Sequence, residues 1–253
     1  MRHGTKKPSV IIVLSACSII TAIMTGCGGD SEGSRGSVNR TNYNRNGHAY
    51  MPTSSDKELT FTIAVAPVIE GYQMWDDSDD FTYYCESVTV PVPPSYEDTV
   101  SLDGMKFVAR GTGRETFPVF DGTSLVGTVR ENRAGDLHPR AWLESPMIIL
   151  PETLPDIGGT WALGADFDVL DLGTFNMTGE LEDVESINVP AGTFDAIRVK
   201  YTGVVELFSL DTDCTATIWY VEDIGPVRAV ASAHFSTVDK TTTNVEIVLS
   251  RIE

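Results

Sequence analysis

Alternation of apolar and polar residues with a period of two is the feature that most constrains the fold of this chain. It begins after residue 58, where Leu59, Phe61, Ile63 and Val65 alternate with small or polar residues. This spacing is typical of a strand that buries one face. Because no long stretch shows a convincing 3.6-residue period, helices are not expected to contribute to the core.

The same pattern continues to the C-terminus and is interrupted by turn signals such as Asp103-Gly104 and Gly158-Gly159. All-β units of this size are routinely single domains. We therefore predict an all-β fold in which residues 58–253 form one antiparallel domain, built as a strongly curved sheet or open barrel. The further strands are predicted at Phe81–Val92, Lys106–Arg110, Leu125–Arg130, Trp142–Leu150, Ala196–Leu207, Thr215–Val221, Pro226–Phe235 and Thr242–Ile252.

The N-terminus contains a basic segment, an apolar run and then a cysteine. Basic residues at positions 2–7 precede the apolar run over residues 9–24, and Cys27 follows Gly26. This order resembles the export signal of bacterial lipoproteins. A transmembrane anchor would need about 20 apolar residues, whereas this run is shorter and is interrupted by Ser and Thr.

Two alternatives to acylation at Cys27 remain open. Cys17, preceded by Leu14-Ser15-Ala16, is a second candidate, and a plain secretory signal cut after a small residue also fits. Cleavage before Cys17 would leave an apolar mature terminus, whereas cleavage before Cys27 leaves a polar one. We predict a signal peptide over residues 1–26 and acyl chains, such as palmitate, on Cys27. The resemblance implies a protein of the cell envelope that is anchored to a membrane, with the outer membrane as the expected one, on its periplasmic or surface face.

Residues 27–57 are rich in Gly, Ser, Asn and Arg and almost lack aliphatic side chains. Such a composition buries too little apolar surface to offset the entropy lost on ordering. We predict a flexible tether, and a coil of this length spans on the order of 30 Å root-mean-square.

The charge of the chain is strongly negative, with 18 basic and 36 acidic residues and a net charge of −18. Removing residues 1–26 takes away three basic residues and no acidic ones, which leaves −21. Phosphates would be repelled by this charge, so nucleic acid is excluded as a partner. Adsorption to anionic lipid surfaces is disfavoured for the same reason.

Cys85 and Cys214 remain after Cys17 leaves with the signal and Cys27 is acylated. In an oxidising compartment an even pair indicates one disulfide, and this bridge would require strands near Tyr84 and Trp219 to be neighbours. Two buried thiols are the alternative. Neither cysteine lies in a CxxC motif, which argues against zinc binding and thiol redox catalysis.

Signals for catalysis are weak. The segment Gly122–Gly127 misses the spacing of a nucleophile elbow. His138 is expected in an exposed loop and His234 in a packed strand position, so no catalytic residue is predicted and the protein is expected not to be an enzyme.

The best candidate for a metal site is an acidic loop that offers oxygen ligands suited to Ca²⁺, although a solvated charge run is the alternative. Its carboxylates are Asp76, Asp77, Asp79 and Asp80.

Four segments of the C-terminal half resemble a group of uncharacterised bacterial envelope proteins. They are Leu154–Trp161, Val189–Ala196, Trp219-Tyr220 and Ile224–Val227. The resemblance implies an antiparallel β fold of the half-barrel kind and no established activity. The link Val221-Glu222-Asp223 departs from the pattern, in which a small or Pro-containing link is more usual.

The physics of these segments is structural. Pro190 blocks a helix, and Gly192 is expected to adopt positive φ in a tight turn. In the next strand Ile197, Val199 and Tyr201 should face one side, with Arg198, Lys200 and Thr202 on the other. Trp161 and Trp219 are predicted as core aromatics, with a ligand-stacking pair as the alternative.

These observations favour a membrane-anchored, non-enzymatic β module for binding or envelope assembly. Its expected ligand is a lipid-like molecule in an apolar concavity or a protein. The alternatives are a calcium-stabilised surface or adhesion domain and, third, a hydrolase.

Overall fold

The computed structural model describes residues 43–51, 59–66, 80–91, 101–110, 116–131, 136–166, 173–207, 210–235 and 242–252. These residues form one 3₁₀ helix, Gly47–Tyr50, and twelve strands. The strands are β1 (Leu59–Ala66), β2 (Asp80–Pro91), β3 (Ser101–Arg110), β4 (Thr116–Asp121), β5 (Ser124–Glu131), β6 (Leu137–Ile148), β7 (Thr160–Asp166), β8 (Gly173–Val189), β9 (Gly192–Leu207), β10 (Leu210–Val221), β11 (Gly225–Phe235) and β12 (Thr242–Ile252).

All twelve strands belong to one antiparallel sheet with the order β6-β5-β4-β3-β2-β1-β12-β11-β10-β9-β8-β7. Two meanders meet where β1 pairs with β12, with Leu59 opposite Ile252. The prediction of an all-β antiparallel fold is confirmed. The prediction of a strongly curved sheet or open barrel is corrected, because in the described part of the chain the sheet is neither closed nor strongly curled, and β6 and β7 are its edges.

The core lies on one face of the sheet, called the inner face. On β10 the inner positions are Cys214, Ala216, Ile218 and Tyr220, all buried, as expected from the two-residue period of a strand. The segment 149–154 crosses this face and buries Ile149, Leu150 and Leu154 against it. Burial of each such side chain contributes about 1.5–3 kcal/mol relative to exposure.

Residues 43–51 form a segment that packs onto the sheet, and we name it the strap. Tyr50 and Met51 at its end are buried in the core, and the backbone N–H of Asp223 donates to the carbonyl of Ala49 at 2.8 Å. The strap lies inside the predicted tether, so the tether prediction is corrected at these residues. Two large apolar side chains are enough to dock a segment whose remaining composition is polar.

The turn between β8 and β9 has the predicted backbone. Gly192 has a φ of 149°, and it opens β9 directly after Pro190-Ala191. Positive φ is a conformation that glycine adopts at little cost. The prediction of a tight turn with Gly192 at positive φ is therefore confirmed.

The predicted neighbour relation between the two cysteine strands is wrong. Cys85 lies in β2 and Cys214 in β10, and β1, β12 and β11 lie between them in the sheet. No disulfide is observed at Cys214, which is buried. A bridge needs Cα atoms within about 7 Å, a separation typical of strands that lie side by side. The hydrogen-bond ladder between β1 and β12, and not a disulfide, joins the two halves of the chain in one sheet.

Candidate functional site

The candidate binding surface lies on the outer face of the sheet, which is the face of β8–β12 turned away from the core. On β9 the side chains of Ile197, Val199 and Tyr201 are buried, whereas Arg198 and Lys200 lie half-buried on the outer face. This alternation confirms the predicted division of the strand. The outer face is therefore built from charged and polar side chains over a well-packed core.

Six residues on five neighbouring strands, β8–β12, form what we call the Trp219 cluster. Trp219 stands opposite Arg198 of β9 and opposite Arg228 of β11. Its indole Nε1 donates to Glu185 Oε1 at 2.8 Å, and the Arg228 guanidinium lies 5.0 Å from the centre of its ring. The cluster consists of Glu182, Glu185, Arg198, Trp219, Arg228 and Glu246.

Every cation of the cluster has a carboxylate partner. Arg198 bridges two glutamates, with Nε 3.1 Å from Glu182 and Nη1 2.8 Å from Glu185. Arg228 Nη2 lies 2.8 Å from Glu246. Half-exposed pairs of this kind contribute about 0.2–1 kcal/mol each, so their main effect is to hold Trp219 in one orientation.

Two irregularities in the sheet lie at the level of the cluster. The register of β8 with β9 shifts between Leu181 and Asp183, and that of β10 with β11 shifts next to Trp219. A bulge adds a residue to one strand and re-aims its side chains. The bulge on β8 brings Glu182 and Glu185 to the same guanidinium.

The surroundings of the cluster are polar with isolated apolar positions. A row of small polar side chains crosses the sheet beside it, because the register places Thr178, Thr202, Thr215, Ser232 and Asn244 next to one another. Val204 and Val230 are 37% and 38% exposed on the same face. Trp, Arg and exposed Val together form a surface on which a partner can bury apolar area. The charged groups of this surface are already paired with one another.

The inner face contains an aromatic cluster that is structural. The Tyr201 hydroxyl donates to the Ile149 carbonyl at 3.0 Å and lies 3.0 Å from the Tyr220 hydroxyl. Trp161 Nε1 donates to the same carbonyl, and its ring meets Tyr201 edge to face with centroids 6.2 Å apart. Burial raises the pKa of both tyrosines. These contacts fasten segment 149–154 to the sheet.

Trp161 and Trp219 lie on opposite faces, so the alternative of a ligand-stacking pair is wrong. Trp161 packs over Gly179 on the inner face, where a Cβ on that glycine would lie 2.4 Å from the indole. Trp219 is half-buried on the outer face. Its prediction as a core residue is corrected, because Trp219 is only partly buried and lies on the outer face, whereas Ile218 and Tyr220 are buried on the inner face.

The other predicted site residues do not belong to the candidate binding surface on β8–β12. Cys27, Asp76, Asp77 and Asp79 lie outside the described residues, and Asp80 begins β2. Among the residues that the structure describes, no group of three or more His, Cys, Asp and Glu could hold a metal ion. The described part of the chain also has no helix long and apolar enough to cross a membrane. His138 is exposed, but it lies in β6 and not in the predicted loop. His234 lies opposite Asp213 on the outer face.

Sequence reasoning missed most of the Trp219 cluster. It placed Arg198 on the correct face of β9, but the strand that supplies Glu182 and Glu185 was not predicted. The signal was present in the alternation of Phe175, Met177 and Leu181, which the bulge then interrupts. A search that allows one extra residue in the two-residue period would have found β8.

Comparison with solved structures finds two of similar fold. One is a candidate exported protein with a YmcC-like fold from Bacteroides fragilis, 15% identical, which covers 80% of this chain and 97% of that chain with a TM-score of 0.41. The other is a candidate lipoprotein from Parabacteroides distasonis, 12% identical, which covers 81% of this chain and 98% of that chain with a TM-score of 0.43. Comparison with curated proteins finds no match. Residues 172–234, which include β8–β10, most of β11 and all of the Trp219 cluster except Glu246, match the model of the DUF3108-like family.

Proposed function

We propose that this protein is a lipoprotein of the bacterial cell envelope, acylated at Cys27, whose non-enzymatic β domain binds a protein partner through the outer face of β8–β12. The export signal supports the location, since its basic, apolar and cysteine segments follow in the order typical of lipoproteins. Two or more acyl chains would hold the protein firmly on a membrane.

The observation that carries the binding role is the Trp219 cluster. Trp219 is held in one orientation by Glu185 and Arg228, which reduces the side-chain entropy that binding would cost. Trp and Arg are also the residues most enriched among the energetic centres of protein interfaces. In a chain with net charge −18, the three glutamates of this patch are balanced by its two arginines and by the neighbouring Lys200, whose Nζ lies 3.6 Å from Glu182 Oε1. The patch therefore avoids repelling an acidic partner.

A protein fits this surface better than a lipid-like ligand. Apolar ligands bind in concave apolar sites. The inner side chains of β9 and β10 are already buried, with only a few per cent of their surface exposed to solvent. The outer face, in contrast, presents paired charges around a half-exposed indole. That pattern supports recognition by another folded surface.

Acylation is tested by substituting the two candidate cysteines separately. Cys27→Ser should leave the protein in the soluble fraction or as an unprocessed precursor, because the acyl acceptor is removed. Cys17→Ser is the matched control and should leave membrane attachment unchanged. The opposite result, with attachment lost only in Cys17→Ser, would move the acylation site to the first cysteine.

The binding surface is tested by photo-crosslinking in intact cells with p-benzoylphenylalanine. Val204 and Val230 report on the outer face, and Ile148 and Ile157, which are 44% and 41% exposed elsewhere, are the matched controls. We expect one discrete protein adduct at both valines, none at the isoleucines, and a several-fold weaker adduct when Arg228→Gln releases Trp219. Equal adducts at all four positions, or none at the valines, would contradict the proposal.

A further inference from the structure

The strap attaches the N-terminal part of the chain to one particular end of the domain. On one side it meets the β10–β11 turn, where Asp223 N donates to Ala49 O at 2.8 Å. On another side it meets the β4–β5 turn, because a Cβ on Gly122 would lie 2.7 Å from the His48 ring. We call this end, formed by the strap and these two turns, the strap end.

The strap is bonded along its length to segment 149–156. Arg45 donates through Nε and Nη2 to the Leu154 carbonyl at 3.0 and 2.9 Å and pairs with Asp156 at 3.0 Å. Backbone bonds join Gly47 N to Glu152 O at 2.9 Å and Leu154 N to Arg45 O at 2.8 Å. With Tyr50 and Met51 buried, the strap is part of the fold and cannot swing freely.

The chain between the acylation site and the strap is short. Tyr43 is held by a hydrogen bond from its hydroxyl to the Pro155 carbonyl, so residues 28–42 separate Cys27 from the strap end. Under the tether prediction, a coil of that length would span about 20 Å root-mean-square. By contrast, the length of β9 from Gly192 to Glu206 carries the sheet about 45 Å away from the strap end.

We propose that docking of the strap orients the domain on the membrane, with the strap end towards the lipid and the outer face of β8–β12 at the side of the domain, open to partners beside it. The proposal rests on acylation at Cys27 as proposed above. Exposed Glu222 and Asp223 at the strap end disfavour adsorption of this end to anionic headgroups, so the orientation comes from where the tether is attached and not from contact with the lipid. The strap therefore determines which surfaces can meet a partner in the plane of the membrane.

Energy transfer to the lipid surface measures this orientation. A donor dye is placed on Glu152→Cys at the strap end or on Glu206→Cys at the far end, both exposed positions, in the acylated chain carrying Cys85→Ser and Cys214→Ala. The protein is reconstituted in phosphatidylcholine vesicles with a rhodamine-labelled lipid as acceptor. We expect several-fold more efficient transfer from position 152 than from position 206. Equal transfer, or more from position 206, overturns the proposed orientation.

A second variant tests the role of the strap itself. Gly47→Val blocks docking, because a Cβ at position 47 would lie 2.0 Å from the Pro151 carbonyl oxygen. The undocked chain should lengthen its tether and reduce the difference between the two dyes, although β1 also begins at this end. Gly36→Val, the matched control outside the strap, should preserve the full difference. If Gly47→Val does not fold, Arg45→Ala replaces it. An undiminished difference in a folded, strap-released variant overturns the role of the strap.

Failure of acylation is distinguished from failure of orientation by a third arm. A chain that begins at Gly28 with a hexahistidine tag is held on vesicles that contain a nickel-chelating lipid, and the same two dyes are compared. This arm requires no acyl chain. If the full-length chain does not float with vesicles while the tagged chain does, the proposed acylation fails, and the transfer ratio of the tagged chain still decides the orientation.

Discussion

Gly192 shows how one residue sets a turn. Its φ of 149° lies in a region that residues with a Cβ avoid, and it is the first residue of the strand that carries Arg198 and Tyr201. A Cβ at this position would lie 3.4 Å from its nearest neighbour, Phe194 Cζ, which is ordinary contact. The requirement for glycine is therefore conformational and does not come from crowding.

Gly192→Val should accordingly lower the free energy of unfolding by roughly 1–3 kcal/mol through backbone strain. Chemical unfolding of the two proteins measures the difference. Ala191→Val, one residue earlier and not at positive φ, is the control and should cost less. A Gly192→Val protein as stable as the wild type would show that the turn tolerates a Cβ.

At the scale of the element, the strap joins parts of the sheet that are distant in sequence. It touches the β4–β5 turn through His48 and the β10–β11 turn through Ala49. The two turns belong to different meanders of the sheet. The strap therefore ties the meanders together at one end, in addition to the ladder between β1 and β12.

Gly122→Ala tests this connection. Gly122 has a φ of 54°, and a Cβ there would lie 2.7 Å from His48 Cε1. The left-handed conformation alone costs a residue with a Cβ about 1–2 kcal/mol, and displacement of His48 should add to that cost. In a His48→Ala background the same substitution should cost less, as a double-mutant cycle of unfolding free energies would measure. Equal costs in both backgrounds would contradict the contact.

At the scale of the whole molecule, the buried tyrosines predict how stability depends on pH. Burial raises the pKa of Tyr50, with a further contribution from Glu222, and burial raises the pKa of Tyr201 and Tyr220. Three phenols with ordinary values near 10 in the unfolded chain thus keep their protons in the folded protein at higher pH. The unfolded state then binds fewer protons than the folded state, so stability falls as pH rises.

We expect full stability from these groups below pH 10 and a loss above it of about 1.4 kcal/mol per pH unit for each tyrosine. The three together give a slope of roughly 4 kcal/mol per unit, which continues until the folded protein loses the same protons. Urea unfolding between pH 9 and 11 measures the slope. Tyr220→Phe should reduce the slope by about a third. An unchanged slope would show that the Tyr220 hydroxyl loses its proton at the same pH in the folded and the unfolded protein.

The amino-acid sequence by itself determined the local structure of this protein. Alternation of apolar residues at a two-residue period predicted the strands around Leu59 and Ile197, and the Val189–Ala196 segment predicted the turn at Gly192. These features depend on neighbouring residues along one strand, because the pleat alternates faces and glycine alone adopts positive φ at little cost. Both are readable without knowing what the strand packs against.

Only the tertiary structure decided which elements meet. The pairing of β1 with β12, the separation of the two cysteine strands and the docking of the strap all depend on contacts between segments far apart in the chain. The bulge on β8 hid that strand from a strict two-residue period and at the same time assembled Glu182 and Glu185 around Arg198. Local periodicity fixes the face of each side chain, but sheet order and register are set by the summed packing of all strands.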